Sequence, residues 1–232
     1  MGTALRIGAK NKEIMADVIN AFKEMISDKT FPCVAAKDAL NKDNIKFLSA
    51  GHIACPKDDE RILEFIYNFT RQFRNREKGF HSAVVLFPFT EPLDEKQFEI
   101  FLFQRLKALR ALDAKNFAHD KRVSEDPQSE NFSFSLMQEA FFIIGLHPGS
   151  SRPARQFPAP AIVFNPHVQF EDLRKKGLYD KLKAIVRKRD MNFSGSVNTM
   201  LADFGDRSEI FQYSGRVYTT EEKCPFSGLS LK

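Results

Sequence analysis

The sequence contains no tryptophan and only three cysteines, Cys33, Cys55 and Cys224, among 232 residues. So few scattered thiols exclude a disulfide framework. No C-x-x-C pair supports a structural zinc site, and reduced thiols in a cytoplasmic protein are the expectation. Long apolar runs are missing too. Ser82–Phe89 and Ala140–Leu146 fall far short of the about 20 residues a membrane helix needs. No signal-type start is seen, and Arg6 stands where a myristoylation site wants Ser or Thr. Neither G-x-G-x-x-G nor a P-loop occurs, so nucleotide phosphates lack their usual backbone cradle. No G-x-S-x-G elbow supports a hydrolase, and His52, His81 and His119 have no H-x-H or H-E-x-x-H spacing.

What is present is a globular composition, 43% hydrophobic and 28% charged, long enough for a sizeable core. Its 24 phenylalanines, with only four tyrosines, imply a thick core or a lined apolar cavity. The net charge of +5 is mild, but Arg174, Lys175, Lys176, Lys181, Lys183, Arg187, Lys188 and Arg189 crowd one segment. Leu173, Leu178, Leu182, Ile185 and Val186 recur there at spacings near three and four, which predicts one amphipathic surface helix.

No repeat or linker divides the chain, so one domain over residues 1–232 is expected. Lys12–Ser27, Cys33–Leu40, the stripe Ile62–Phe73 after Pro56, and the stretch opened by Glu91–Glu95 read as helices. Ser82–Phe89, Phe132–Ser135, Ala140–Leu146 and Ala161–Asn165 read as strands. Ser124–Asn131 and His147–Pro160 read as loops, and the chain beyond Asp190 as irregular. The class is α+β (or mixed α/β), a mixed or antiparallel sheet flanked by helices.

Residues able to carry chemistry cluster at strand ends. His147, Ser150, Ser151, Arg152 and Arg155 share nine residues after a buried strand, and the two arginines suit carboxylates. His167 follows Pro166 at the next strand end, as a ligand, a base or a backbone donor. Cys33 and Cys224 each sit beside Pro and Phe, as inert thiols or as haem thiolates. An axial ligand, apolar walls and cations are the parts of a haem pocket.

At these segments the chain resembles the YqcI/YcgG family, which includes haem-dependent N-hydroxylases of arginine and related guanidino compounds. The resemblance rests on Phe31-Pro32-Cys33, His147-Pro148-Gly149-Ser150-Ser151-Arg152 with Arg155, and Phe164-Asn165-Pro166-His167 with Gln169-Phe170. It continues through Asp203-Phe204-Gly205, Ser208-Glu209, Gln212-Tyr213-Ser214-Gly215-Arg216 and Cys224-Pro225-Phe226. The chain departs from the family's pattern at its end, having no Trp before Cys224 and Ser227 in place of a His.

The resemblance implies haem b and a monooxygenase that hydroxylates a nitrogen of a small amino or guanidino compound, using O2 and two electrons from a donor. His147, His167, Cys224 and Cys33 are the candidate axial ligands. Arg152 and Arg155, with Ser150 and Ser151, would hold the propionates. Asp203, Asp206 or Glu209 would face a guanidinium, and Arg216 or Arg189 a substrate carboxylate. A haem-binding redox or carrier protein without oxygenase activity is the alternative. Nucleic-acid binding through the basic segment ranks third, for want of an accompanying motif. No membrane association is expected, and a homodimer stays open.

Overall fold

The computed structural model describes residues 2–76, 79–196 and 204–218. Five strands form one sheet: β1 Ile45–Ser49, β2 Ser82–Leu86, β3 Phe134–Leu136, β4 Glu139–Leu146 and β5 Ala161–Pro166. Their order is β1-β2-β5-β4-β3, with β1 and β2 parallel and every other pair antiparallel. The helices are α1 Gly2–Ser27, α2 Val34–Asn41, α3 Asp59–Arg74, α4 Glu95–Asp113, α5 Val168–Lys175, α6 Tyr179–Ser194 and α7 Ile210–Tyr213. The α+β expectation of a mixed sheet flanked by helices is borne out.

Local chemistry sets the helix starts. The Asp94 carboxylate accepts from Gln97 N (2.8 Å) and the Gln97 side chain bonds back to Asp94 N, a capping box at α4. The Cys33 Sγ caps α2 by accepting from Ala36 N at 3.4 Å.

Because strand side chains alternate, the sheet packs two cores. Ala83, Val85, Ile143, Ile162 and Phe164 meet α3 and α4 through Ile66, Phe73, Phe98 and Leu102. Val84, Leu86, Leu146 and Val163 on the opposite face meet Phe22 and Ile26 of α1 and Ala39 of α2.

Several expected boundaries move. The single basic helix is two, α5 and α6, because Gly177 adopts a left-handed turn (φ 65°) between them. Strand β2 ends at Leu86, where Phe87 and Thr90 close a turn around Pro88 (Thr90 N to Phe87 O, 3.2 Å). The strand expected at Phe132–Ser135 lies at Phe134–Leu136. Beyond Asp190 the chain is not wholly irregular, since α6 runs to Ser194 and α7 follows. Strand β1 escaped the sequence reading: it is short, carries exposed Lys46, and pairs only at the sheet edge. No helix among the described residues is long and apolar enough to cross a membrane.

Candidate functional site

Between the α1/α2 face of the sheet and α6 lies a cleft of about 280 Å³. Its floor is the sheet, through Ile144, Leu146, Val163 and Asn165, and its sides include Phe22, Phe31, Phe170 and Val186. Polar groups also line it: Cys33, Arg152, Arg155, Asp190, His167 and Glu209, with Arg174, Lys183 and Arg187 of the α5–α6 wall.

Cys33 stands at the start of α2, where the chain leaves the Phe31-Pro32 turn. Burial pushes its thiol up, opposed by the Ala36 and Ala35 backbone amides and by the Arg155 charge. Arg155, on the short helical turn Pro153–Arg155, is buried and donates to Gly145 O (3.0 Å), Tyr213 O (3.3 Å) and Gln212 O (3.1 Å). No carboxylate among the described residues lies within ion-pair distance of it. Burial, helped by the nearby Arg152 charge, pulls its guanidinium down to about 10, so it remains charged at neutral pH. Arg152 instead has a partner. Its Nη2 donates to Asp190 Oδ2 of α6 at 2.6 Å, with both side chains buried.

His167 and Glu209 form the second polar element. The His167 Nε2 lies 3.4 Å from Glu209 Oε1, and both side chains are only 6% exposed. Neither His167 Nε2 nor Glu209 Oε2 has a hydrogen-bond partner among the described residues. Such orphaned buried polar atoms call for an occupant. The His167 ring packs on Phe204 (centroids 4.4 Å), which also borders the cleft.

Not every expected residue arrives here. His147 lies on the other side of the sheet, stacked on Phe98 of α4 (centroids 4.2 Å, 20°). Strand alternation is the reason: Leu146 faces the cleft, so its neighbour points away, whereas Val163, Asn165 and His167 share one parity. Ser150 accepts from Arg152 N (3.3 Å) and shapes the loop, and exposed Ser151 donates to Glu95 Oε1 (2.8 Å). Neither borders the cleft. Arg216 is engaged bidentately by Glu99 (3.1 Å each) away from the cleft. Arg189 donates to Phe31 O (3.0 Å) and to Lys29 O, bracing the turn before Cys33 rather than facing a substrate. Asp206 is exposed. Cys224 and Asp203 lie outside the described residues.

Asp190 and Arg174 carry no site role in the sequence, the first entering through the family resemblance as Arg189-Asp190 and the second as part of a basic face. Yet Asp190 pairs with Arg152 in the wall, and Arg174 lies over the Tyr179 ring (4.1 Å) at the cleft edge.

Fold and site together define a class: an α+β protein whose mixed sheet floors an apolar ligand cleft carrying a thiol, an imidazole–carboxylate pair and four guanidiniums. The comparisons agree on the particular family. The model of the YqcI/YcgG family matches residues 22–227. YcgG of Bacillus subtilis (strain 168), described as uncharacterized, is 27% identical over 210 residues, covering 86% of this chain and 82% of its own. YqcI of the same organism, likewise described, is 28% identical over 183 residues, covering 75% and 70%. No solved structure matches. The chain belongs to the YqcI/YcgG family.

Proposed function

We propose that this protein is a haem-dependent monooxygenase that hydroxylates a nitrogen of a small amino or guanidino compound, with Cys33 as the side chain that holds the iron. The carrying observation is the coincidence in one apolar cleft of Cys33, a buried Arg155 without a carboxylate, and the His167–Glu209 pair. In the overall change a substrate N–H, O2, two electrons and two protons become N–OH and water.

Haem, when bound, supplies the iron that activates dioxygen. The residues present fit such a group. Cys33 has a thiol that burial keeps protonated at neutral pH, and a metal displaces that proton outright. Arg155, and Arg152 beside it, suit the two carboxylates of a porphyrin, and an anion opposite Arg155 completes its charge balance. The apolar walls exclude water, which strengthens every charged contact inside. Glu209 Oε2 offers an unpartnered carboxylate oxygen to a substrate cation, and His167 Nε2 lies 3.4 Å from the other oxygen of the same side chain. That free carboxylate oxygen favours an oxygenase over a carrier, since a carrier has no use for a second cationic ligand.

Expression with a haem precursor, followed by absorption spectra, tests the reading. Wild type is expected to show a Soret band and, reduced under carbon monoxide, the red-shifted band of thiolate ligation, which Cys33→Ala loses. Absence of any Soret band overturns the proposal, and loss in His167→Ala alone moves the ligand to His167. Mass spectrometry of an arginine-like substrate with O2 and reductant then separates the activities. No N–OH product from a haem-loaded protein leaves the carrier reading standing.

A further inference from the structure

Helix α6 is a wall of the cleft, and its two faces carry different chemistry. Tyr179, Leu182, Val186 and Asp190 recur at helical spacing and border the cleft. Lys181, Ile185, Lys188 and Met191 recur with the same spacing on the outer face, all exposed. Leu178, beside them, is 48% exposed, Ile185 43% and Met191 45%. Three of the six large apolar side chains left open among the described residues thus lie on α6 or at its N-cap. Single exposed apolar residues are ordinary, but a cluster with a polar rim marks an interaction surface.

The rim is predominantly basic. Lys175, Lys176, Lys181 and Lys188 have no acidic side chain within ion-pair distance among the described residues. Asp180, the exposed acid of α6, is already engaged by Lys183 at 3.1 Å. The proposed reaction needs two electrons from outside. Resting on that reading, we propose that the outer face of α6 is the docking surface for a small acidic one-electron carrier protein of the iron–sulfur or flavin kind.

Three features favour this occupant. Uncompensated lysines steer an acidic partner and repel a second copy of the same face. The apolar centre suits a small, short-lived protein contact, whereas nucleic-acid phosphates gain nothing from Leu178, Ile185 and Met191. The position is also right. The cleft lies across one helix, about 10–12 Å thick with its side chains. Phe193 of α6 meets Phe31 edge-on (centroids 6.4 Å), two residues before Cys33. Each reduced carrier gives up one electron and leaves oxidised, so two dockings supply one turnover.

Stopped-flow reduction of the haem-loaded full chain by a reduced acidic two-iron ferredoxin tests this, with wild type, Lys181→Glu/Lys188→Glu and Ile185→Ala at low and high salt. The wild-type rate is expected to fall with salt, and the charge reversal to lower it at least about tenfold. The Soret band and the rate of reduction by dithionite should not change. A normal Soret band with ferredoxin reduction insensitive to both substitutions overturns the docking surface. In parallel, binding of the oxidised ferredoxin to the haem-free chain is followed by calorimetry. A chain that takes up no haem yet binds ferredoxin through these lysines keeps the docking surface and overturns the monooxygenase. Binding of RNA or DNA in its place, or self-association lost in Ile185→Ala, assigns the face to that occupant and overturns the proposal.

Discussion

Removing the Asp190 carboxylate should be one of the most damaging single changes near the cleft. Asp190 and Arg152 are 7% and 10% exposed, and their contact of 2.6 Å pins α6 to the loop that leaves β4. Asp190 also accepts from Ser194 Oγ (3.0 Å), and Arg152 Nη2 reaches Ser196 O (3.4 Å). Breaking a buried pair from one side leaves an uncompensated charge and costs about 3–5 kcal/mol. In a chain of this length each kcal/mol lowers Tm by roughly 2–4 °C, so Asp190→Ala should melt about 6–20 °C early. The assay is thermal unfolding by circular dichroism, with the double variant Arg152→Met/Asp190→Ala alongside. With the Arg152 cation removed as well, the double variant should melt above Asp190→Ala. A loss below about 1 kcal/mol for Asp190→Ala, the level of an exposed pair, refutes the argument. So does a double variant that melts no higher than Asp190→Ala.

Three further outcomes are expected. Gly145→Ala would place its Cβ 2.7 Å from Phe98 and 2.9 Å from the backbone oxygen of Tyr213. It should therefore cost about 1–3 kcal/mol in urea unfolding, because a backbone oxygen cannot swing away as a side chain can. The two-residue turn between β3 and β4 holds Met137 and Gln138 at φ 53° and 56°. Gln138→Gly should relieve left-handed strain and stabilise by about 1 kcal/mol, read as a higher urea midpoint. Burial lowers the pKa of His147 from the usual 6.5, chiefly by desolvation. Below pH 6.5 the unfolded chain then binds a proton that the folded one refuses, so stability is lost as pH falls through that range. His147→Gln should flatten this acid limb, as measured by urea midpoints between pH 7 and 5.

Cys33, His167, Arg155 and Glu209 were each legible as candidates, because chemistry-bearing residues at strand ends and turns stand out against an apolar run. Their grouping was not. His147 and His167 look alike in sequence, each just past a buried strand. Parity separates them: counting from Leu146 and from Val163 sends one ring under Phe98 and the other to the cleft. That signal lay in the sequence but needed to be known from which face the cleft opens. Arg155 and Arg189 illustrate a different limit. The sequence marks both as anion or substrate contacts; Arg155 borders the cleft and also donates to Gln212 O, whereas Arg189 donates to Phe31 O outside it, both carbonyls lying far away in sequence. Only the folded chain brings those carbonyls near.

The sequence by itself determined the local periodicities: the α+β class, the buried strands at Ala140–Leu146 and Ala161–Asn165, the helix stripe Ile62–Phe73, and the family. These follow from side-chain spacing and propensity within a few turns of chain. The tertiary structure alone decided the strand order β1-β2-β5-β4-β3, the break at Gly177, and which face of the sheet carries the cleft. It also decided that Cys33 shares the cleft with Arg155, and that His167 meets Glu209, across long stretches of chain. Such pairings are settled by the burial of whole faces against one another, an energy that no single segment contains.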